Sequence, residues 1–169
     1  NANSLSSNHV EVVYEDRRKN LWIGTSMGLN LFDRETGHFK RFQHDPEDSR
    51  SLSHNMVRSM CEDSSGHLWI ATDRGLNRFD IPESGEYRDG KFRRFLHNEN
   101  DPDSLSHNAV RIVREDSRGV LWIGTYGGGV NRFVPLETDE NPGRFEHYRH
   151  SPNDPESLLE DAVFSFLED

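Results

Sequence analysis

Apolar residues fall in short clusters separated by polar turns, and the clusters recur in a fixed order. Val10–Tyr14 and Leu29-Asn30-Leu31-Phe32 read as strands, and so does the Trp-centred run Leu21-Trp22-Ile23-Gly24-Thr25. Phe39-Lys40-Arg41-Phe42 has apolar ends around a polar pair, as do Phe92–Phe95 and Phe145–Tyr148, and reads as a half-buried strand. No stretch carries a 3.6-residue period, so helices are not expected. Between the first two strands lies a tight turn, Asp16-Arg17-Arg18-Lys19-Asn20 or Asp63-Ser64-Ser65-Gly66-His67. Gly66 and Gly119 suit a left-handed backbone position there, and Lys19 takes the same slot in the first copy.

The strands belong to an internal repeat. Leu21-Trp22-Ile23-Gly24-Thr25 returns as Leu68-Trp69-Ile70-Ala71-Thr72 and as Leu121-Trp122-Ile123-Gly124-Thr125, at spacings of 47 and 53 residues. Leu5, Leu52, Leu105 and Leu158 follow the same register, as do Val10, Val57, Val110 and Val163. Glu15-Asp16, Glu62-Asp63, Glu115-Asp116 and Glu168-Asp169 close the first strand of each unit. The length difference falls between the third and fourth strands, where a scaffold tolerates insertion. Four antiparallel strands in about 50 residues is the size of a propeller blade. The fold expected is all-β, with β-propeller-type four-stranded antiparallel blades: three complete blades plus one extra strand. The units are 5–51, 52–104 and 105–157, with 158–169 as the first strand of a fourth blade. A sandwich would not explain the strict repeat.

Composition narrows the partners. Only 32% of the 169 residues are hydrophobic, but their regular clustering is that of a folded chain. The net charge of −10 repels phosphate backbones and anionic lipid, so neither nucleic acid nor membrane contact is expected of this segment. Cys61 is the one cysteine, which excludes an intrachain disulfide and a Cys-based zinc site. No signal peptide is visible at the N-terminus.

The pattern Asn-x-Val, then Glu-Asp-x-x-Gly-x-Leu-Trp-Ile-Gly-Thr-x-x-Gly-Leu-x-x-Phe-Asp, resembles the two-component regulator propeller repeat. In the second copy it runs from Asn55 through Glu62-Asp63, Gly66 and Leu68 to Thr72, then Gly75-Leu76 and Phe79-Asp80. Ala71 stands where the pattern has Gly, and Val134-Pro135 where it has Asp. The resemblance implies a periplasmic sensor segment of a bacterial membrane receptor, of a hybrid two-component system or a diguanylate cyclase. It also implies a carbohydrate, in particular an oligosaccharide, as the class of ligand.

Catalytic and metal motifs give way to bland readings. Tyr126-Gly127-Gly128-Gly129 has no following Lys-Ser/Thr and aligns with the turns at Ser26-Met27-Gly28 and Asp73-Arg74-Gly75. The acidic connections around Asp45, Asp101 and Asp154 lack the full ligand spacing of a calcium loop and read as turns. His44, His97 and His150 repeat once per unit, as scaffold residues do. No HExxH or GxSxG occurs. No catalytic residue, metal or cofactor is expected.

The candidates for binding are the residues that differ between equivalent turns, together with those of the approach loops, where His54 and His107 repeat before Asn55 and Asn108. The approach loop to the first strand and the turn between the second and third strands share one side of a blade. That side carries Met27, Asp73, Arg74 and Tyr126 on the turns, and His54, Asn55, His107 and Asn108 on the loops. On the first strand, lining the central channel, one position is Glu11, Arg58 and Arg111. Arg and Tyr suit sugars or carboxylates. Three blades are fewer than the 4–8 of a closed ring. A homo-oligomer, a dimer of about six blades, or the remainder of a longer receptor is expected to cover the open ends. The alternatives are a dimerisation segment without a ligand, and a lyase or hydrolase assembled between chains.

Overall fold

A computed structural model of the chain describes residues 3–80, 86–136 and 143–168. It forms three four-stranded antiparallel sheets. Blade 1 comprises β1 (Val10–Glu15), β2 (Leu21–Thr25), β3 (Gly28–Phe32) and β4 (Phe39–Phe42). Blade 2 comprises β5 (Val57–Glu62), β6 (Leu68–Thr72), β7 (Gly75–Asp80) and β8 (Lys91–Phe95). Blade 3 comprises β9 (Val110–Glu115), β10 (Leu121–Thr125), β11 (Val130–Pro135) and β12 (Gly143–Tyr148). Each blade is a meander, and the first strands stand side by side, β1 against β5 and β5 against β9. They are the inner strands of the propeller arc.

The blades pack face to face. Trp22, Leu29 and Phe42 of blade 1 meet Val57, Ile70, Phe79 and Phe92 of blade 2. Trp69, Leu76 and Phe95 of blade 2 meet Val110, Ile123, Phe133 and Phe145 of blade 3. Trp22 and Trp69 are buried in these junctions, while Trp122 is half-buried. Gly24 keeps one junction tight, since a Cβ there would lie 2.5 Å from Val57 Cγ1.

The paired Glu-Asp of the repeat divides two tasks. The Asp holds its own blade: Asp16, Asp63 and Asp116 each accept the indole N–H of Trp22, Trp69 and Trp122 at 3.0, 2.7 and 2.9 Å. The same carboxylates accept the backbone N–H of Asn20, His67 and Val120, which shapes the hairpin turn. The Glu ties one blade to the next. Glu62 accepts the N–H of Arg17, Glu115 that of Ser64 and Glu168 that of Ser117. Glu15 pairs instead with Lys19 and Arg34. The left-handed turn position is as the sequence predicts: φ is 85° at Gly66, 77° at Gly119 and 68° at Lys19.

A second repeated network is polar and buried, except that Ser6 is half-buried. Asn30, Asn77 and Asn131 accept the N–H of Ser6, Ser53 and Ser106. Their amide nitrogens donate to the hydroxyls of the same serines. Thr25, Thr72 and Thr125 donate across the β-turn that follows each Trp strand.

The segment after blade 3 runs where a fourth first strand belongs. It makes one isolated bridge, Tyr126 with Ala162, rather than a ladder. Val163 N–H donates to Thr125 O, Arg114 to Phe166 O, and Ser117 to Glu168. It therefore lies along blade 3 with side chains exposed, Phe164 at 62% and Leu167 at 89%. Asp169 lies outside the described residues.

Candidate ligand-binding site

The channel position is a β-bulge in every blade. Pairing in blade 1 passes from Val10–Thr25 to Val12–Gly24, skipping Glu11. Arg58 is skipped in blade 2 and Arg111 in blade 3. A bulge leaves the extra residue out of the ladder and re-aims its side chain. That is how one strand position, repeated three times, delivers Glu11, Arg58 and Arg111 to a common surface. Phe164 holds the same register in the terminal segment.

These side chains join in one chain across the inner strands. Arg58 forms a fork on Asp73, with Nε and Nη2 each 2.9 Å from a carboxylate oxygen. Its Nη1 lies 3.5 Å from Glu11. Arg111 Nη1 reaches the same Asp73 at 2.6 Å. The Arg111 guanidinium lies 5.3 Å from the centre of the Tyr126 ring. Tyr126 in turn meets Phe164 edge to face at 5.9 Å. Burial would raise the Asp73 carboxyl, but the bond from Arg58 and the charges of Arg58 and Arg111 hold it below the ordinary carboxylate value. The bond to Asp73 likewise raises Arg58. Asp73 and Arg58 are therefore both charged at neutral pH.

Arg58 is fully engaged, and Arg111 is not. Arg111 Nε is buried and has no hydrogen-bond partner. A buried donor left unmade costs about 1–3 kcal/mol. An acceptor brought to this point recovers that cost, and Tyr126 and Phe164 offer exposed rings beside it.

The other sequence candidates take different places. Asn55 and Asn108 accept the N–H of His44 and His97 at 2.7 and 2.8 Å, and Asp161 does the same for His150. Those histidines bind the carbonyls of Leu52, Leu105 and Leu158. This is scaffold chemistry, repeated in each linker. His54 and His107 accept through Nδ1 from Met56 and Ala109, which leaves the proton on Nε2. Burial lowers both below the usual imidazole value, helped by Arg74 at His54 and by His97 at His107. Arg74 and Met27 are exposed at the rim. The structure thus brings together Arg58, Asp73, Arg111 and Tyr126, adding Glu11 and Phe164. Phe164 was legible only by extending the register of Glu11, Arg58 and Arg111 one unit further.

The glycine-rich turn is occupied by its neighbour: Gly127 and Gly129 N–H both donate to Asp161 O. The acidic connections are Asx turns, with Asp45, Asp101 and Asp154 accepting from Glu47, Asp103 and Glu156.

The two component regulator propeller model matches residues 4–27, 51–74 and 104–127, which in each blade span the approach loop, the first strand, the Trp strand and the start of the following turn. No curated protein sequence matches the chain. Among solved structures, the chain is similar to the extracellular domain of a B. thetaiotaomicron protein assigned as a hybrid two component system. The identity is 27% and the TM-score 0.75, over 96% of this chain and 21% of that one. The chain thus spans about a fifth of that domain. It is also similar to virginiamycin B lyase from Staphylococcus aureus, at 16% identity and TM-score 0.55, over 89% of this chain and 44% of the lyase. That second likeness is one of fold.

Proposed function

From a chain that belongs to the two component regulator propeller repeat family, we propose a non-catalytic sensing segment of a bacterial membrane receptor. The segment lies on the periplasmic side and binds an oligosaccharide or another small polar ligand. The observation that carries the reading is Arg111: a buried Nε without a partner, beside two exposed rings, at a first-strand position that varies between blades. A sugar presents an apolar ring face for stacking and acceptor oxygens for the guanidinium. The ion chain Glu11–Arg58–Asp73–Arg111 fixes the donor in place, so binding needs little reordering.

The test is calorimetric titration with a panel of neutral and acidic oligosaccharides. Saturable heat from at least one of them, weakened about tenfold or more in Tyr126→Ala, supports the reading; a stacking contact is worth roughly that factor. Heats that no panel member raises above dilution, or that Tyr126→Ala leaves unchanged, count against it.

The open ends support a second element, association with another copy. Val10 and Val13 are exposed on β1, and Tyr148, Phe164 and Leu167 at the other end. Light scattering over a wide concentration range then reads a dimer or larger. A monomer throughout removes this element and leaves the ligand reading standing.

A further inference from the structure

The bulge arginines of blades 2 and 3 are placed alike, but only one of them is satisfied. Each turns Nη1 back to a carboxylate of the preceding blade, Arg58 to Glu11 at 3.5 Å and Arg111 to Asp73 at 2.6 Å. Nε and Nη2 are thereby kept for the arginine's own blade. In blade 2 these two donors form the fork on Asp73, each at 2.9 Å. Asp73 meets them from the first position of the β6–β7 turn, where its N–H donates to Met56 O.

Tyr126 holds that same position in blade 3, since its N–H donates to Ala109 O as that of Asp73 does to Met56 O. The turn therefore offers the Arg111 fork a phenol ring where the Arg58 fork meets a carboxylate. The guanidinium lies 5.3 Å from the centre of that ring. Arg111 Nε is left without a partner, and Nη2 makes no bond among the described residues. The elements around the fork, β9, the turn 126–129 and the segment 160–164, are all described. The two parallel N–H groups of such a fork match a carboxylate in spacing and direction, whereas a single neutral acceptor fills only one of them.

We propose that the fork of Arg111 receives a carboxylate of the ligand, in the place that Asp73 takes one blade earlier. This rests on the channel reading and narrows it: the ligand is an acidic sugar, of the uronic acid type, rather than a neutral one. Nε is closed to solvent, so the carboxylate enters as the Tyr126 ring swings out. That side chain is 53% exposed on its turn, and the displaced ring then lies against the apolar face of the sugar. Asp73 keeps its hold on Nη1, so the guanidinium stays in place.

The test reads the Arg111 Nε–H resonance of the intact chain by NMR, assigned through Arg111→Lys, during titration with glucuronate and with glucuronamide, its uncharged amide. The expected result is a saturable shift with glucuronate and binding about tenfold or more weaker for the amide, since charge-assisted bonds are about twice as strong as neutral ones. Arg111→Lys keeps the charge without the fork, and by calorimetry it should bind glucuronate about tenfold more weakly. Tyr126→Asp gives blade 3 the carboxylate of blade 2. It should move the Nε–H resonance with no ligand present and abolish the response to glucuronate. Acetate distinguishes the source of the carboxylate: binding about fivefold or more weaker than glucuronate assigns an acidic sugar, and equal binding overturns the sugar in favour of a plain carboxylic acid. The absence of a glucuronate shift up to the solubility limit overturns the proposal. So do equal binding of the amide, undiminished binding by Arg111→Lys, and an unmoved Nε–H resonance in folded Tyr126→Asp. A neutral oligosaccharide that binds through Tyr126 while glucuronate does not overturns the carboxylate and leaves the sensing reading standing.

Discussion

Single residues in this chain carry repeated tasks, and their costs follow from what each one touches. Asn77 is buried, accepts Ser53 N–H at 2.8 Å and donates to Ser53 Oγ and Ile70 O. Asn77→Ala leaves two buried groups unpaired, so urea denaturation should show a loss of about 2–6 kcal/mol at about 1–3 kcal/mol per unmade group. A loss below about 0.5 kcal/mol would mean the network carries no weight. Lys19 presents the opposite case. It holds φ 68° where the other copies have glycine, and its side chain makes only an exposed pair with Glu15. Lys19→Gly should therefore stabilise the fold by about 0.5–1 kcal/mol, seen as a raised Tm. The strain at Lys19 was legible in the sequence, because the copies align and two of three carry glycine. The Asn–Ser–Thr network was not singled out, although all three residue types repeat. A polar residue inside a strand pattern reads as solvent-facing until a partner on another loop is known.

At the scale of the element, the turns and junctions set the response to pH. Burial would raise Asp63, but bonds from His67 and Trp69 hold it below 3.8. Asp116 is lowered by the Trp122 indole and the Val120 N–H, and Asp73 by the arginines despite burial. His54 and His107 lie below 6.5 through burial. In every case the unfolded chain binds the proton more readily, so stability rises with pH. The histidine contribution is whole above the ordinary value of 6.5 and is lost as pH falls through the lowered folded values. The carboxylate contribution goes at a second stage, below 3.8. Chemical denaturation across pH 3–8 should show this two-stage decline. Stability flat from pH 7 down to pH 5 would contradict the lowered histidines. Strand positions, the hairpin turn and the order of the meander were legible because each unit repeats the same clusters. The bulge at Glu11, Arg58 and Arg111 was not, since one unpaired residue leaves no mark on an apolar pattern.

For the whole molecule, the residues separate into two sets. Positions that repeat build the stack: Trp on Asp, Glu on the preceding turn, Asn on Ser, and His on the linker carbonyl. Positions that vary along the inner strands and the turns beside them form the charged chain that ends at Tyr126 and Phe164. The sequence alone identified most of this second set through their failure to repeat. It could not separate Arg58 and Arg111 from Asn55 and Asn108, whose partners lie in linkers eleven residues away.

One thermal unfolding experiment tests that division directly. It compares the unchanged chain with Arg111→Ala, each with and without the panel oligosaccharide that binds. Without ligand, Asp73 keeps its Arg58 fork, so the two midpoints should lie within a few degrees, about the effect of roughly 1 kcal/mol in a domain of this size. With ligand at about 100 times Kd, the unchanged chain should gain about 2.7 kcal/mol and its midpoint should rise, while Arg111→Ala should stay where it was. An equal rise in both proteins would contradict the account, and so would a collapse of the variant in the absence of ligand.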